Sequence, residues 1–91
     1  MRVVWTATAL EDVRAARDYI HERNPLAARR IAEDLLAAGD SLTDFPYRGR
    51  PGRTVGTREL VIVRPYIIVY EVGEDRVLIL RVWHGAQRRD G

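Results

Sequence analysis

The sequence has 91 residues, a net charge of +2 and no cysteine. This length predicts one domain, spanning residues 1–91, and the lack of cysteine excludes a disulfide framework and a thiolate metal site. A charge of +2 is too small to indicate a nucleic-acid-binding protein by itself, although all 15 basic residues are arginine.

No part of the sequence predicts a membrane segment, a metal site or a cofactor site. The first residues carry no long apolar run after Arg2, so a signal peptide is not predicted. The longest uninterrupted apolar stretch, residues 66–70, is far too short to span a bilayer. The two histidines and the scattered carboxylates lack the spacing of metal ligands. We therefore expect a soluble cytoplasmic protein without a metal or cofactor.

The N-terminal part of the chain predicts a short strand followed by a helix. Residues 2–5 are rich in β-forming side chains, which favours a first strand. Apolar residues then recur at helical spacing over residues 8–22. Two residues are candidates for the helix cap. Thr8 has Glu11 three residues later, the spacing of a capping box, and Thr6 is an equally good candidate.

A second helix is predicted over residues 25–43. Asn24 is a favoured cap, and Pro25 is a favoured first helical residue because its missing N–H would be unpaired there. The short break between the two helices predicts an antiparallel hairpin. Gly39 costs about 1 kcal/mol relative to alanine inside a helix, and nothing in the sequence explains it. The apolar stripe of this helix consists of Ala28, Ile31, Leu35, Ala38 and Leu42.

Three strands are predicted after a basic loop. Residues 47–53 are rich in arginine, glycine and proline, which is typical of a turn-rich loop. Residues 58–63, 66–72 and 76–83 have strand composition, and the turn at 73–75 joins the last two in a hairpin. The order β-α-α-β-β-β predicts an α+β fold, in which the helix hairpin packs on one face of a small antiparallel sheet. The pairing of the first strand is left open.

Several short motifs follow one another along the chain, and none of them is specific by itself. They are Trp5-Thr6, Tyr19-Ile20, Asn24-Pro25 with Ala27-Ala28, Phe45-Pro46, Gly49-Arg50-Pro51-Gly52, the run from Gly56 to Val61, the run from Tyr66 to Val72, and His84-Gly85-Ala86-Gln87-Arg88. In this order and spacing they resemble the ParE branch of the ParE/RelE toxin family, over nearly the whole chain.

The resemblance implies the toxin component of a bacterial type II toxin–antitoxin system, of the plasmid-stabilisation kind. Such toxins are held inactive in a hetero-oligomer by a cognate antitoxin, ParD-like or similar, and the complex binds operator DNA only through the antitoxin. ParE-like members resemble inhibitors of DNA gyrase, whereas RelE-like members are ribosome-dependent mRNA endoribonucleases. The fold that the resemblance implies, a small antiparallel sheet with a helix hairpin, agrees with the predicted order of elements.

The resemblance also shows where this chain departs from one ribonuclease branch. The loop glutamate of that branch corresponds to Gly52 and its middle-strand arginine to Ile67, so that only His84 remains. Other ribonuclease members use lysine, which this chain lacks. The departure favours a gyrase inhibitor that is not an enzyme. The alternatives are an endoribonuclease with a displaced catalytic set, Arg58, Arg81 and His84, and a degenerate toxin that only binds its antitoxin.

Two basic segments are candidates for contact with a target. The loop cluster is either a basic lip for phosphate or for an acidic partner, or a solvated loop without a role. It consists of Arg48, Arg50 and Arg53. The resemblance implies that the C-terminal region binds the target, and the alternative is a terminus without a role. Its candidate residues are His84, Gln87, Arg88 and Arg89.

The three residues of the displaced catalytic set each have a structural interpretation as well. Arg58 opens the first strand of the meander beside Glu59, and it is either a clamp for phosphate or carboxylate, or a member of an exposed cross-strand ion pair. Alternation along the last strand puts Arg81 on the face of Val77, where it either docks a partner or extends its charged end to solvent. His84 either contacts the target or forms a local hydrogen bond that shapes the C-terminal turn.

Overall fold

Two helices pack against one face of a five-stranded sheet in the computed structural model, which describes residues 1–86. The elements are β1 (Arg2–Trp5), α1 (Ala7–His21), α2 (Pro25–Asp40), a short 3₁₀ helix (Ser41–Thr43), β2 (Arg50–Pro51), β3 (Arg58–Leu60), β4 (Tyr66–Val72) and β5 (Arg76–His84). The predicted α+β arrangement of a helix hairpin on a sheet is confirmed. Within the described residues, no helix is both long and apolar enough to cross a membrane.

Side-chain caps set the start of both helices. Thr6 Oγ1 accepts a hydrogen bond from the N–H three residues later at 3.1 Å, so Thr6, and not Thr8, caps α1. Asn24 caps α2 in the same way, also at 3.1 Å. The second helix ends at Asp40, earlier than predicted, because residues 41–43 tighten into a 3₁₀ turn.

The sheet has the strand order β1-β5-β4-β3-β2. The last three strands form the predicted antiparallel meander. The first strand, whose pairing the sequence left open, runs parallel to β5 and makes the sheet mixed. Strand β2 was not predicted: Arg50 and Pro51 of the basic loop pair with Glu59 and Arg58. The basic loop is therefore one arm of an edge hairpin.

Strand β3 is shorter than the predicted strand over residues 58–63. The carbonyl of Val63 accepts a hydrogen bond from the N–H of Tyr66 at 2.8 Å and closes a tight turn, which contains the cis Arg64–Pro65 peptide. The ladder between β3 and β4 ends at the pair Leu60–Ile68, and residues 61–65 form the connection between the two strands. The strand ends at Leu60.

A β-bulge decides which face the end of β5 presents. Arg81 pairs with Val69, whereas the next residue of β4 pairs with Ile79, so Leu80 is an extra residue in β5. The extra residue reverses the alternation of side chains between the two faces. The prediction that Arg81 shares the face of Val77 was wrong: Val77 lies in the core, whereas the bulge turns Arg81 out of the core, and its side chain reaches Asp12 of α1 beside the strand.

The core lies between the helices and the helix-facing side of the sheet. Gly39 of α2 makes room there for Trp5, since a Cβ atom at this glycine would clash with the indole and lie only 2.8 Å from Ile79 Cδ1. The indole is also held by a hydrogen bond from Trp5 Nε1 to Asp40 Oδ1 at 3.1 Å. The buried apolar cluster consists of Ala9, Val13, Leu35, Ala38, Leu42, Leu60, Tyr66, Ile68, Tyr70, Val77, Ile79 and Val82.

Candidate functional site

A groove of about 690 Å³ runs between α1 and the C-terminal half of β5. The first strand pairs with β5 only as far as Ile79. Beyond that point the chain turns into α1, and Thr6 Oγ1 donates to the carbonyl of Leu80 at 3.2 Å. Within the described residues, the rest of β5 has no strand on this side. We call this the α1–β5 groove; it is lined by Asp12, Ala15, Ala16, Tyr19, Tyr66, Arg81, Val82, Trp83 and His84.

Asp12 joins the two walls of the groove. Its carboxylate accepts hydrogen bonds from Arg81 Nε at 2.8 Å, from Arg81 Nη2 at 3.1 Å and from the backbone N–H of Val82 at 2.9 Å. The hydrogen bond with Asp12 raises the pKa of Arg81 above its ordinary value, against the opposing effect of burial. The same guanidinium lies 4.0 Å from the centroid of the Trp83 ring. The guanidinium of Arg81 therefore contacts the Asp12 carboxylate and the Trp83 ring at the same time.

The far end of the groove is aromatic. His84 and Tyr66 pack edge to face, with ring centroids 5.5 Å apart. The Nδ1 atom of His84 accepts a hydrogen bond from the backbone N–H of Ala86 at 3.1 Å, as its structural interpretation requires. Burial raises the pKa of the Tyr66 hydroxyl, and the nearby Tyr19 adds to the shift. The Tyr19 side chain is 78% exposed and forms part of the rim.

Glu59 is the buried carboxylate of the edge hairpin. Its side chain is only 3% exposed, and its Oε1 accepts from Arg50 Nε at 3.2 Å and from Arg50 Nη2 at 3.1 Å. Its Oε2 accepts from the backbone N–H of Arg53 at 3.4 Å. Glu59 thus forms a cross-strand ion pair with Arg50, because β2 places Arg50 directly opposite.

The guanidinium groups of Arg48 and Arg58 are held by neutral oxygen atoms. Arg58 Nη1 donates to the carbonyl of Gly49 at 2.7 Å, and its Cζ lies 5.0 Å from the centroid of the Tyr47 ring. Arg48 Nη1 donates to Ser41 Oγ at 2.9 Å. A neutral acceptor orients a guanidinium without cancelling its charge, so this side of the hairpin keeps two positive charges.

The displaced catalytic set does not converge. Arg81 and His84 line the same groove, but Arg58 lies elsewhere. Arg58 pairs with Tyr70 of β4 and His84 pairs with Tyr66, so about 13 Å of extended strand separates their partners. Arg81 pairs with Val69, and Asp12 of α1 binds its guanidinium. The three side chains therefore do not surround one point.

Comparison with known proteins decides the family. A family model described as the ParE toxin of the type II toxin–antitoxin system parDE matches residues 3–89. The chain belongs to this toxin family. The resemblance drawn from its motifs is thereby confirmed.

Relatives of this toxin match it over almost their whole length. Toxin RelE2 of Caulobacter vibrioides is 50% identical over 86 residues, which cover 94% of this chain and 97% of that toxin. Toxin RelE1 of the same organism is 42% identical over 95 aligned positions, which cover 92% and 99%. A solved chain of the chromosomal ParDE system from P. aeruginosa has a TM-score of 0.85 at 26% identity, and the match covers 92% of this toxin and 95% of that chain.

The toxin carries no ribonuclease group at two positions where the resemblance places one. Gly52 lies in the edge hairpin, where its N–H donates to the carbonyl of Thr57 at 2.8 Å. Ile67 is buried and pairs with Trp83. Among residues 1–86, no cluster of three or more His, Asp or Glu side chains could hold a metal ion. Three of the tail candidates lie outside the described residues: Gln87, Arg88 and Arg89.

Asp12 and Tyr70 are the residues of these sites that sequence reasoning missed. Asp12 contacts residues 69 and 70 positions later, and no local pattern indicates so distant a partner. The hydroxyl of Tyr70 accepts a hydrogen bond from the N–H of Gly49 at 2.9 Å and holds the start of the edge hairpin. A signal did exist for Tyr70, because a tyrosine within an apolar strand needs a polar partner when it is buried.

Replacing Asp12 should destabilise the toxin more than its exposure suggests. The side chain is 16% exposed, and Asp12→Ala removes the acceptor of both the Val82 N–H and the Arg81 guanidinium. We expect the free energy of unfolding to fall by about 1–3 kcal/mol. Asp12→Asn should cost less, since an amide oxygen still accepts from Val82. Urea unfolding measures the free energy of unfolding of both variants. Glu11→Ala, which removes an exposed ion pair of α1, is the control and should change little.

Proposed function

We propose that this toxin inhibits DNA gyrase in the cytoplasm, without catalytic chemistry of its own, and that a cognate antitoxin neutralises it in a hetero-oligomer. The matching family model is that of ParE, and the similar solved chain belongs to a ParDE system. We expect a ParD-like antitoxin, through which alone the complex binds operator DNA.

The separation of Arg58, Arg81 and His84 is the observation that supports gyrase, rather than messenger RNA, as the target. Cleavage of RNA at a 2′-hydroxyl needs a base, an acid and a stabilising charge around one phosphate. Here the Arg81 guanidinium is bound by Asp12, and His84 Nδ1 accepts from the N–H of Ala86. Among residues 1–86 these candidates form no common centre, an arrangement that suits a toxin acting by binding.

The α1–β5 groove is our candidate site for the antitoxin. Its floor carries a mutually neutralised pair, Asp12 with Arg81, while Ala16, Tyr66 and Trp83 supply apolar surface. A groove with these properties suits the apolar face of an amphipathic helix. We therefore assign it to a helix of the antitoxin.

The C-terminal region is our candidate for contact with gyrase. His84 lines the far end of the groove, immediately before the tail. A helix in the groove would therefore lie beside the start of the tail and hinder its approach to gyrase. The proposed contact residues are His84, Gln87, Arg88 and Arg89.

Two activities of refolded, antitoxin-free toxin test this function: supercoiling by purified gyrase, and cleavage of message on translating ribosomes. We expect loss of supercoiling with accumulation of cleaved DNA, and intact message. A chain ending at Ala86 should lose the inhibition while retaining its fold by circular dichroism. Cleaved message with unaffected gyrase would instead support the RelE-type activity that the names of the two Caulobacter relatives suggest.

A further inference from the structure

Two uncompensated arginines lie on the helix-facing side of the edge hairpin. Arg48 and Arg58 both lie close enough to the buried Tyr70 hydroxyl for their charges to act on it. Burial raises the pKa of Tyr70, while the N–H of Gly49 and these two charges oppose the rise. Neither arginine forms an ion pair with a carboxylate among residues 1–86. Arg50, on the other side of the hairpin, is paired with Glu59.

Both guanidinium groups are oriented before any ligand arrives. Their hydrogen bonds to Ser41 Oγ and to the carbonyl of Gly49 restrict the two side chains, so that less conformational entropy is lost on binding. Beside them the Tyr47 ring is 61% exposed, although it lies against Arg58. Arginine matches the geometry of phosphate oxygens with paired N–H donors.

We propose that Arg48, Arg58 and Tyr47 form a binding site for the phosphodiester backbone of duplex DNA. The choice of DNA rests on the proposed function, because a gyrase inhibitor meets its target on a duplex that presents closely spaced phosphates. An acidic protein segment is the competing ligand for such a pair of arginines. This site lies outside the α1–β5 groove that is assigned to the antitoxin.

Fluorescence anisotropy with a short labelled duplex tests the site without gyrase. The logarithm of the binding constant is measured against the logarithm of salt concentration, between about 50 and 200 mM. Removal of two phosphate contacts in the double variant R48Q/R58Q should make the slope about 1.8 shallower and weaken binding at low salt. The matched control R29Q/R30Q removes two exposed arginines of α2 and should leave the slope unchanged.

Three outcomes would overturn the proposal. They are an equal slope for the wild-type toxin and R48Q/R58Q, tighter binding to single-stranded RNA of the same length, and displacement of the duplex by polyglutamate at equal charge concentration. If circular dichroism shows that Arg58→Gln prevents folding, the single variant Arg48→Gln replaces the double variant as the test. Its salt-dependence slope should then be shallower than that of the wild type by about 0.9. Because gyrase is not in the assay, a failure of gyrase inhibition would not affect this result.

Discussion

Replacement of Ala15 by arginine is expected to weaken binding of the antitoxin about 100-fold, or about 3 kcal/mol, without unfolding the toxin. Ala15 is an exposed residue of α1 that lines the α1–β5 groove. A long cationic side chain there fills the space assigned to an antitoxin helix. It also places a charge against the apolar surface of the bound helix, which is costly to desolvate. Isothermal titration with the cognate antitoxin measures the change.

Ala37→Arg is the matched control for this prediction. Ala37 is exposed on α2 and lines a separate, shallower groove with Ile62 and Val63. The same substitution there should leave antitoxin affinity within about twofold of the wild type, since twofold is only about 0.4 kcal/mol. Unchanged affinity of Ala15→Arg would show that the antitoxin does not use the α1–β5 groove. Equal losses in both variants would indicate a general effect of charge.

Replacement of Gly39 by alanine should lower the free energy of unfolding by about 1–3 kcal/mol. In an exposed helix the same change would stabilise the protein by about 1 kcal/mol. The sign is reversed because the new Cβ would clash with the Trp5 indole and lie 2.8 Å from Ile79 Cδ1. Movement of the indole would also disturb its hydrogen bond to Asp40. Urea unfolding of the purified toxin, followed by circular dichroism, measures the change.

A double-mutant cycle separates this clash from other effects at Gly39. The smaller ring of phenylalanine at position 5 leaves space for the added methyl group. Gly39→Ala should therefore cost less in the Trp5→Phe background than in the wild type, with a coupling of about 1 kcal/mol. The same cost in both backgrounds would mean that the indole does not determine the need for glycine.

The helices and the meander were predictable because their signals are local. Caps at Thr6 and Asn24 are hydrogen bonds across three residues, and the sequence shows both partners within one turn. The hairpin of β4 and β5 is joined by the short turn at 73–75, so chain connectivity specifies its antiparallel pairing. The order of motifs likewise identified the toxin family without a structure.

The candidate site was less predictable because its contacts join distant parts of the chain. The partner of Arg81 is Asp12, 69 residues earlier, and the bulge at Leu80, which turns Arg81 out of the core, has no signal in the sequence. The partners of Arg50 and Arg58 depend on β2, a strand of two residues that is too short to be indicated by any periodicity. Two arginines that look alike in the sequence therefore differ. Arg50 is paired with the buried carboxylate of Glu59, whereas Arg58 donates to the carbonyl of Gly49, so no carboxylate balances its charge there.

The two helices, the Asn24 cap, the three-stranded meander and the family of this toxin could be predicted from the sequence, because these follow from spacing within short windows of the chain. The tertiary structure alone decided where β1 pairs, why α2 contains Gly39, and which residues line the α1–β5 groove. The physical reason is the same for all three: each depends on which side chains meet across the core or at a strand edge, and periodicity carries no information about such distant contacts.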